Sequence, residues 1–247
     1  RPRSVAHDDL PVAVHLLNLD FDGTNLPFYC GAGIGLVASG FNLTLPDTPP
    51  AGKGKKGSII DAFGLGTVRL MKDRNFAIFI IFSFLALIPF AMYFSYFSEF
   101  LLNINTQFIT ITINWGILAE LGFLLLIPPA IRKYGLRKVM IFGLIAMVVR
   151  YFSLYIGGII DQQWLFYIGI LVHGLIFGFF FVGGQIYIDK KAPDELKAQA
   201  QGFIFLMTFG VGLLTGNLID GGIISLFKNT SGGVNIYDWD SIWGLIT

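Results

Sequence analysis

Six stretches of this chain stay apolar long enough to cross a lipid bilayer, and that constrains its fold more than any other feature. They run Phe28–Leu45, Phe76–Phe97, Phe108–Ile131, Val139–Ile159, Trp164–Ile188 and Ala200–Leu226, and a seventh begins at Trp239. A membrane helix needs roughly 20 mostly apolar residues, and in hydrocarbon every backbone polar group must be satisfied within the protein. Transmembrane strands would alternate apolar and polar over about ten residues; these runs are continuous over twice that length, so the spans are read as helices. Composition agrees. Charged residues are 13% of 247, about half the share of a soluble domain, which excludes a soluble globular protein and a disordered chain. With 17 Lys+Arg against 16 Asp+Glu, there is no basic field for nucleic acid. The fold class is therefore all-α, a polytopic helix bundle with the lipid bilayer as its partner.

The basic residues alternate. Segments 46–75, 98–107, 132–138, 160–163, 189–199 and 227–238 carry 6, 0, 4, 0, 3 and 1 Lys or Arg. Lys and Arg are enriched in cytoplasmic loops, so 46–75, 132–138 and 189–199 are expected on the cytoplasmic side. Segment 46–75 holds Pro46, Pro49, Pro50 and a Gly-Lys run at 52–57; it reads as a solvated linker rather than a phosphate-binding loop. Residues 1–22 lack a basic start followed by an apolar run, so no signal peptide is expected. A single cysteine, Cys30, excludes an intrachain disulfide, and three histidines with one cysteine give no metal-ligand spacing. No metal, cofactor or enzyme constellation is expected.

Three ionisable residues fall near mid-span: Glu120 in the third, Arg150 in the fourth and His173 in the fifth. Such groups are costly in hydrocarbon and point to function. Glu120 and Arg150 come from consecutive helices at similar depth, which makes an ion pair between them a candidate; it could line a polar cavity or only fix packing. His173, Phe177 and Gly184 share one helix face, so an aromatic beside a histidine could stack on a planar ligand or simply pack. Gly174/Gly178 and Gly212/Gly216 are small-xxx-small pairs of the kind that mark close helix contacts. Pro89 is expected to bend the second span, with Tyr93, Ser95 and Tyr96 just beyond the bend, and Pro128-Pro129 to bend or end the third.

A long basic linker followed by helices on short loops is the layout of the second half of a major facilitator transporter. The strings Leu45–Pro50, Lys72–Phe76, Ala119–Leu121, Arg132–Met140, Ala146–Tyr151, His173-Gly174 and above all Phe179–Gly202 resemble the nucleoside:H+ symporter family. The resemblance covers about Asn25 to Thr247. It implies a transmembrane-helix-6-like segment at 28–45, an inter-domain linker at 46–75 and a C-terminal transporter half at 76–247 cut short in its last helix, with 1–27 unplaced. An N-terminal half of the carrier is expected to be missing. It further implies an inner-membrane carrier of nucleosides and protons. By position, the family's nucleoside-binding carboxylate falls on Glu120, and its site-lining and base-stacking positions on His173 and Phe177. Its polar positions near the bent helix fall on Met92 and Ser95. The chain departs from the family at Ile117 and Met92, where glutamines are usual, and at Gly178, where an aspartate is usual. Glu120 and His173 are then the proton-coupling candidates of this half. Another small solute such as a sugar, or a non-transporting remnant, is the alternative.

Overall fold

The computed structural model describes residues 25–46, 65–106, 108–231 and 234–247. It divides into two units, residues 1–56 and 57–247. In the first, helix α1 spans Leu26–Asn42 and closes with the Leu43 N–H bonded back to Gly40 and Phe41. The basic Gly-Lys run at 52–57, expected in a linker, lies outside the described residues.

The second unit is a helix bundle. A short 3₁₀ helix, Leu65–Lys72, precedes the first long helix; it has no counterpart in the sequence reading, and Leu70 and Met71 pack onto the apolar cluster of Phe76, Ile80, Ile188 and Phe203. Five longer helices follow: α2 Arg74–Asn103, α3 Ile109–Tyr134, α4 Leu136–Ile159, α5 Trp164–Lys191 and α6 Asp194–Leu226, each long and apolar enough to cross a membrane. A last helix, α7, covers Trp239–Ile246, where a seventh span was expected to start. Strands β1 Lys228–Ser231 and β2 Val234–Tyr237 form an antiparallel hairpin between α6 and α7, an addition to the all-helical expectation. Asn229 and Thr230 carry the polar pattern of a two-stranded ribbon too short to register as apolar alternation.

Helix α2 begins before its apolar stretch because a polar residue caps it. α2 starts at Arg74 because the Asp73 carboxylate accepts from the Asn75 and Phe76 N–H groups, each at 3.0 Å, satisfying orphan donors of the first turn. The same carboxylate meets the Lys191 ammonium of α5 at 2.7 Å. The Lys191 hydrogen bond, with those of the Phe76 and Asn75 amides, holds the Asp73 carboxyl below its ordinary value. A depressed folded-state value means this stabilisation is present above the unfolded carboxylate range and is lost as pH falls through the folded value. Asp73→Asn is expected to keep the cap but lose the Lys191 pairing and its acid sensitivity, while Asp73→Ala loses both. Thermal midpoints measured from neutral pH down to below the ordinary carboxylate value check the order wild type, Asn, Ala at neutral pH and the loss of the wild-type advantage in acid.

Pro128 and Pro129 lie inside α3 and do not end it. α3 ends instead at Gly135, whose φ of +80° is open to glycine and disfavoured for other residues. α5 loosens where the sequence looked most regular. Its ladder turns at Val172, and Ile176–Val182 is π-helical; α6 carries a second π segment at Leu206–Gly212. Such segments are frequent at functional positions. The main core joins α2, α4, α5 and α7 around Phe90, Phe97, Phe100, Leu154, Ile170 and Trp243. Phe179, Phe180 and Phe181 are buried, so that run is packing surface. A Cβ on Gly143 would sit 2.6 Å from the Phe180 amide nitrogen, which shows how closely α4 crosses α5.

Candidate functional site

Glycines bring the mid-span groups together. A Cβ on Gly174 would lie 2.6 Å from the Glu120 nitrogen and 2.7 Å from its Cα, and one on Gly116 would meet Ile170 O at 3.0 Å and His173 Cβ at 3.3 Å. Backbone-to-backbone approach of α3 and α5 therefore needs both glycines. It leaves Glu120 Oε2 3.8 Å from His173 Nε2, beyond a hydrogen bond but within reach of one small bridging group. A Cβ on Gly178, in contrast, would make ordinary contacts with side chains, Ile127 Cδ1 at 3.5 Å and Leu124 Cδ2 at 3.8 Å, so one member of that predicted pair makes the close contact and the other does not.

The expected Glu120–Arg150 ion pair is corrected. Among the described residues Arg150 lies against His173 instead, and His173 stands between Arg150 and Glu120. Arg150 is fully buried. Its Nε donates to Gly169 O at 3.0 Å, its Nη2 lies 2.9 Å from His173 Nδ1, and its guanidinium carbon sits 4.0 Å over the Tyr93 ring. The turn at Val172 sets the adjoining stretch of α5 that presents Gly169 O and His173 to the guanidinium. A guanidinium only donates, so His173 Nδ1 accepts and the ring carries its proton on Nε2, facing Glu120. The three residues form an ordered line: a fixed cation, a neutral imidazole with one directed N–H, and a carboxylate.

Aromatic rings wall this line. His173 stacks with Phe90 at 6.1 Å and 13°, with Tyr93 at 5.8 Å and 22°, and with Phe177 at 6.3 Å and 27°, and Phe94 lies tilted at 5.9 Å. Offset parallel rings at such distances are attractive contacts. Phe177 is thus beside His173, as its spacing predicts. Tyr93, expected past the Pro89 bend, is here too. Met92 is buried in the apolar core, and Ser95 points to another seam, donating to Asn217 Oδ1 of α6 at 2.5 Å. A hundred degrees of helix per residue separates these two positions from the Phe90/Tyr93/Phe94 face. Pro89 lies inside a continuous α2, and the Tyr151 hydroxyl donates to Pro89 O, which ties this point of α2 to the residue after Arg150.

A cavity of about 340 Å³ opens beside this wall between α2, α5 and α6, with Phe79, Phe181, Phe209, Gln185 and Gln201 among its lining residues. Phe181 belongs to both, packing on Phe90 and Phe177.

One ionisable group escaped the sequence reading. Asp220 of α6 is fully buried, and neither carboxylate oxygen has a hydrogen-bond partner among the described residues. The signal was present: an aspartate inside the Ala200–Leu226 run, four residues after the Gly212/Gly216 pair.

Comparison with known proteins follows the same lines. YegT of Escherichia coli K12 is 33% identical over 229 residues, covering 91% of this chain and 53% of YegT. The xanthosine permease of E. coli K12 is 29% identical over 242 residues, covering 94% and 56%. A crystal structure of a variant of the nucleoside transporter NupG superposes with a TM-score of 0.73 at 26% identity, covering 95% of this chain and 60% of that one. The chain thus spans just over half the length of the relatives it matches. The bundle has the major facilitator architecture, and the protein is a multi-pass protein of the inner membrane. The family model described as nucleoside H+ symporter matches residues 7–247, and the chain belongs to the nucleoside:H+ symporter family.

Proposed function

We propose that this chain forms part of a carrier that moves nucleosides inward with protons by alternating access, and that the Glu120–His173–Phe177 cluster is its contribution to the substrate site. The carrying observation is the 3.8 Å separation of Glu120 Oε2 from His173 Nε2 at an aromatic wall. A ribose hydroxyl placed there would donate to the carboxylate and accept from the directed Nε2–H, and Phe177 offers a face for the base. Xanthosine permease and NupG are named for nucleoside transport, which supports the reading. Residues 76–247 would form one half of the carrier and 46–75 the linker, with 46–75, 132–138 and 189–199 in the cytoplasm. The other half, closing the cavity from the opposite side, is the partner this reading requires. Between Glu120 and His173, Glu120 is the better placed to exchange a proton within the substrate site, because His173 Nδ1 is already taken by Arg150.

The test is uptake of radiolabelled uridine and adenosine by the complete carrier in a transport-deficient strain. Glu120→Gln removes the charged acceptor, and charged hydrogen bonds contribute about 1.5–3 kcal/mol, so apparent affinity should fall roughly 10- to 100-fold. No uptake of any nucleoside would sink the substrate assignment; undiminished uptake by Glu120→Gln would sink only the role of Glu120. Competition by sugars but not nucleosides would shift the reading to another solute.

A further inference from the structure

Every fourth residue of α6 from Gly212 is buried: Gly212, Gly216, Asp220 and Ile224. The first two form a seam with α2, since a Cβ on Gly212 would lie 3.0 Å from Leu87 Cβ and one on Gly216 would lie 2.7 Å from Ala91 Cβ. The third position of this stripe is where packing calls for a small or apolar side chain, and a carboxylate occupies it. It is fully buried, with neither oxygen hydrogen-bonded among the described residues. An ionised carboxylate in that setting is strongly disfavoured, whereas a neutral carboxylic acid is not.

We propose that Asp220 is a proton-binding site of this protein and the carboxylate through which a proton is coupled to movement of α6 against α2, a proposal that rests on the transport reading for the coupling but not for the proton. The carboxylate takes up one proton to become a neutral acid while the seam is closed, and gives it up when the seam admits water; no other bond changes. Tyr151 of α4 lies within electrostatic range of it, and the Tyr96 hydroxyl of α2 lies beside the neighbouring Gly221, 3.8 Å from an added Cβ. Of the other charged groups of α2 and α4, Glu99 is bonded to Asn103 and Arg150 to His173 and Gly169, while Arg74, Arg137 and Lys138 sit in the first turns of their helices. Asp220 lies six residues before the end of α6 at Leu226, at the end of the bundle opposite the basic 132–138 and 189–199 segments. One turn earlier, Asn217 is bonded to Ser95, so opening of the seam would break a defined contact. Tyr151 ties the region to the aromatic wall, since its hydroxyl donates to Pro89 O of the helix that carries Phe90 and Tyr93. An element with two packings, biased by the charge of one side chain, is how protonation acts on a fold.

The experiment uses the complete carrier in lipid vesicles. Infrared spectroscopy at neutral pH should show the carbonyl stretch of a protonated carboxyl group that is absent from Asp220→Asn and shifted in Asp220→Glu. Asp220→Asn should lose accumulation driven by a pH gradient, falling to the equilibration level, while nucleoside counterflow without a gradient persists; Asp220→Glu should recover part of the accumulation with an altered pH profile. A wild-type spectrum without a band removed by Asp220→Asn overturns the proton site. Intact gradient-driven accumulation in Asp220→Asn overturns the coupling. If wild type exchanges no nucleoside at all, the transport reading and the coupling fall together, and the infrared result alone decides the proton site.

Discussion

Gly174→Ala is expected to destabilise the protein and impair uptake, while Gly178→Ala, one turn away, leaves both near wild type. The two glycines look equivalent in sequence. In the structure the added methyl at 174 would enter backbone atoms of α3, at 2.6 Å from Glu120 N and 2.7 Å from Ala119 C, and backbone cannot rotate aside as a side chain can. Overpacking of this kind costs about 1–3 kcal/mol, and the only relief is to push α5 off α3. That movement widens the Glu120–His173 gap, and a displacement of about 1 Å at a positioned site can cost on the order of 10²-fold in rate. At 178 the methyl would make an ordinary contact with Ile127. Thermal unfolding in detergent and uptake by the complete carrier check both arms. Equal behaviour of the two variants would remove the argument that Gly174 sets the site.

Arg150→Gln should be the most damaging single change in the membrane interior, and Arg150→Lys should rescue little of it. The guanidinium serves three partners at once: Gly169 O, His173 Nδ1 and the Tyr93 ring. Each buried acceptor left unpaired costs about 1–3 kcal/mol, and a desolvated cation–π contact adds about 2 kcal/mol. Together this is about 4–8 kcal/mol, comparable to the whole stability of a marginal protein. A lysine ammonium is a point donor that lacks the planar fork needed to reach both acceptors while lying on the ring. The specific readout is the His173 ring. Nitrogen NMR of the wild type should show the proton on Nε2, and a variant that folds without the guanidinium should lose that fixed tautomer. A wild-type ring protonated on Nδ1 would contradict the assignment, because the arginine has no acceptor to offer it.

Much of this was legible in the sequence, and the legible part shares one physical cause. Bilayer thickness imposes a length on every span, so the five long helices and the start of the last could be read from apolar runs. The cost of charge in hydrocarbon made Glu120, Arg150 and His173 stand out. Residues four apart share a helix face, which is why Phe177 was found beside His173. Features that depend on neighbours were missed. Asp73 extends α2 by capping it and by pairing with Lys191, over a hundred residues away. Met92 and Ser95 match family positions by counting, but their helix turns them to the core and to Asn217. Asp220 was overlooked because it lies near the end of its run, where an aspartate looks like the approach of a loop; only the packing of α6 on α2 shows it sealed.

By itself, then, the sequence determined that this chain lives in lipid as a helical bundle, and which side chains are too polar to sit there without a reason. It could not determine which of those side chains meet. Opposite charge and equal depth suggested Glu120 with Arg150. Close helix crossings at Gly116, Gly143 and Gly174 instead set His173 between them, with its one proton turned toward the carboxylate. Depth along a helix is local and additive, at about 1.5 Å per residue, so a sequence states it. Azimuth and crossing distance are settled jointly by every helix in the bundle, and only the tertiary structure decides them.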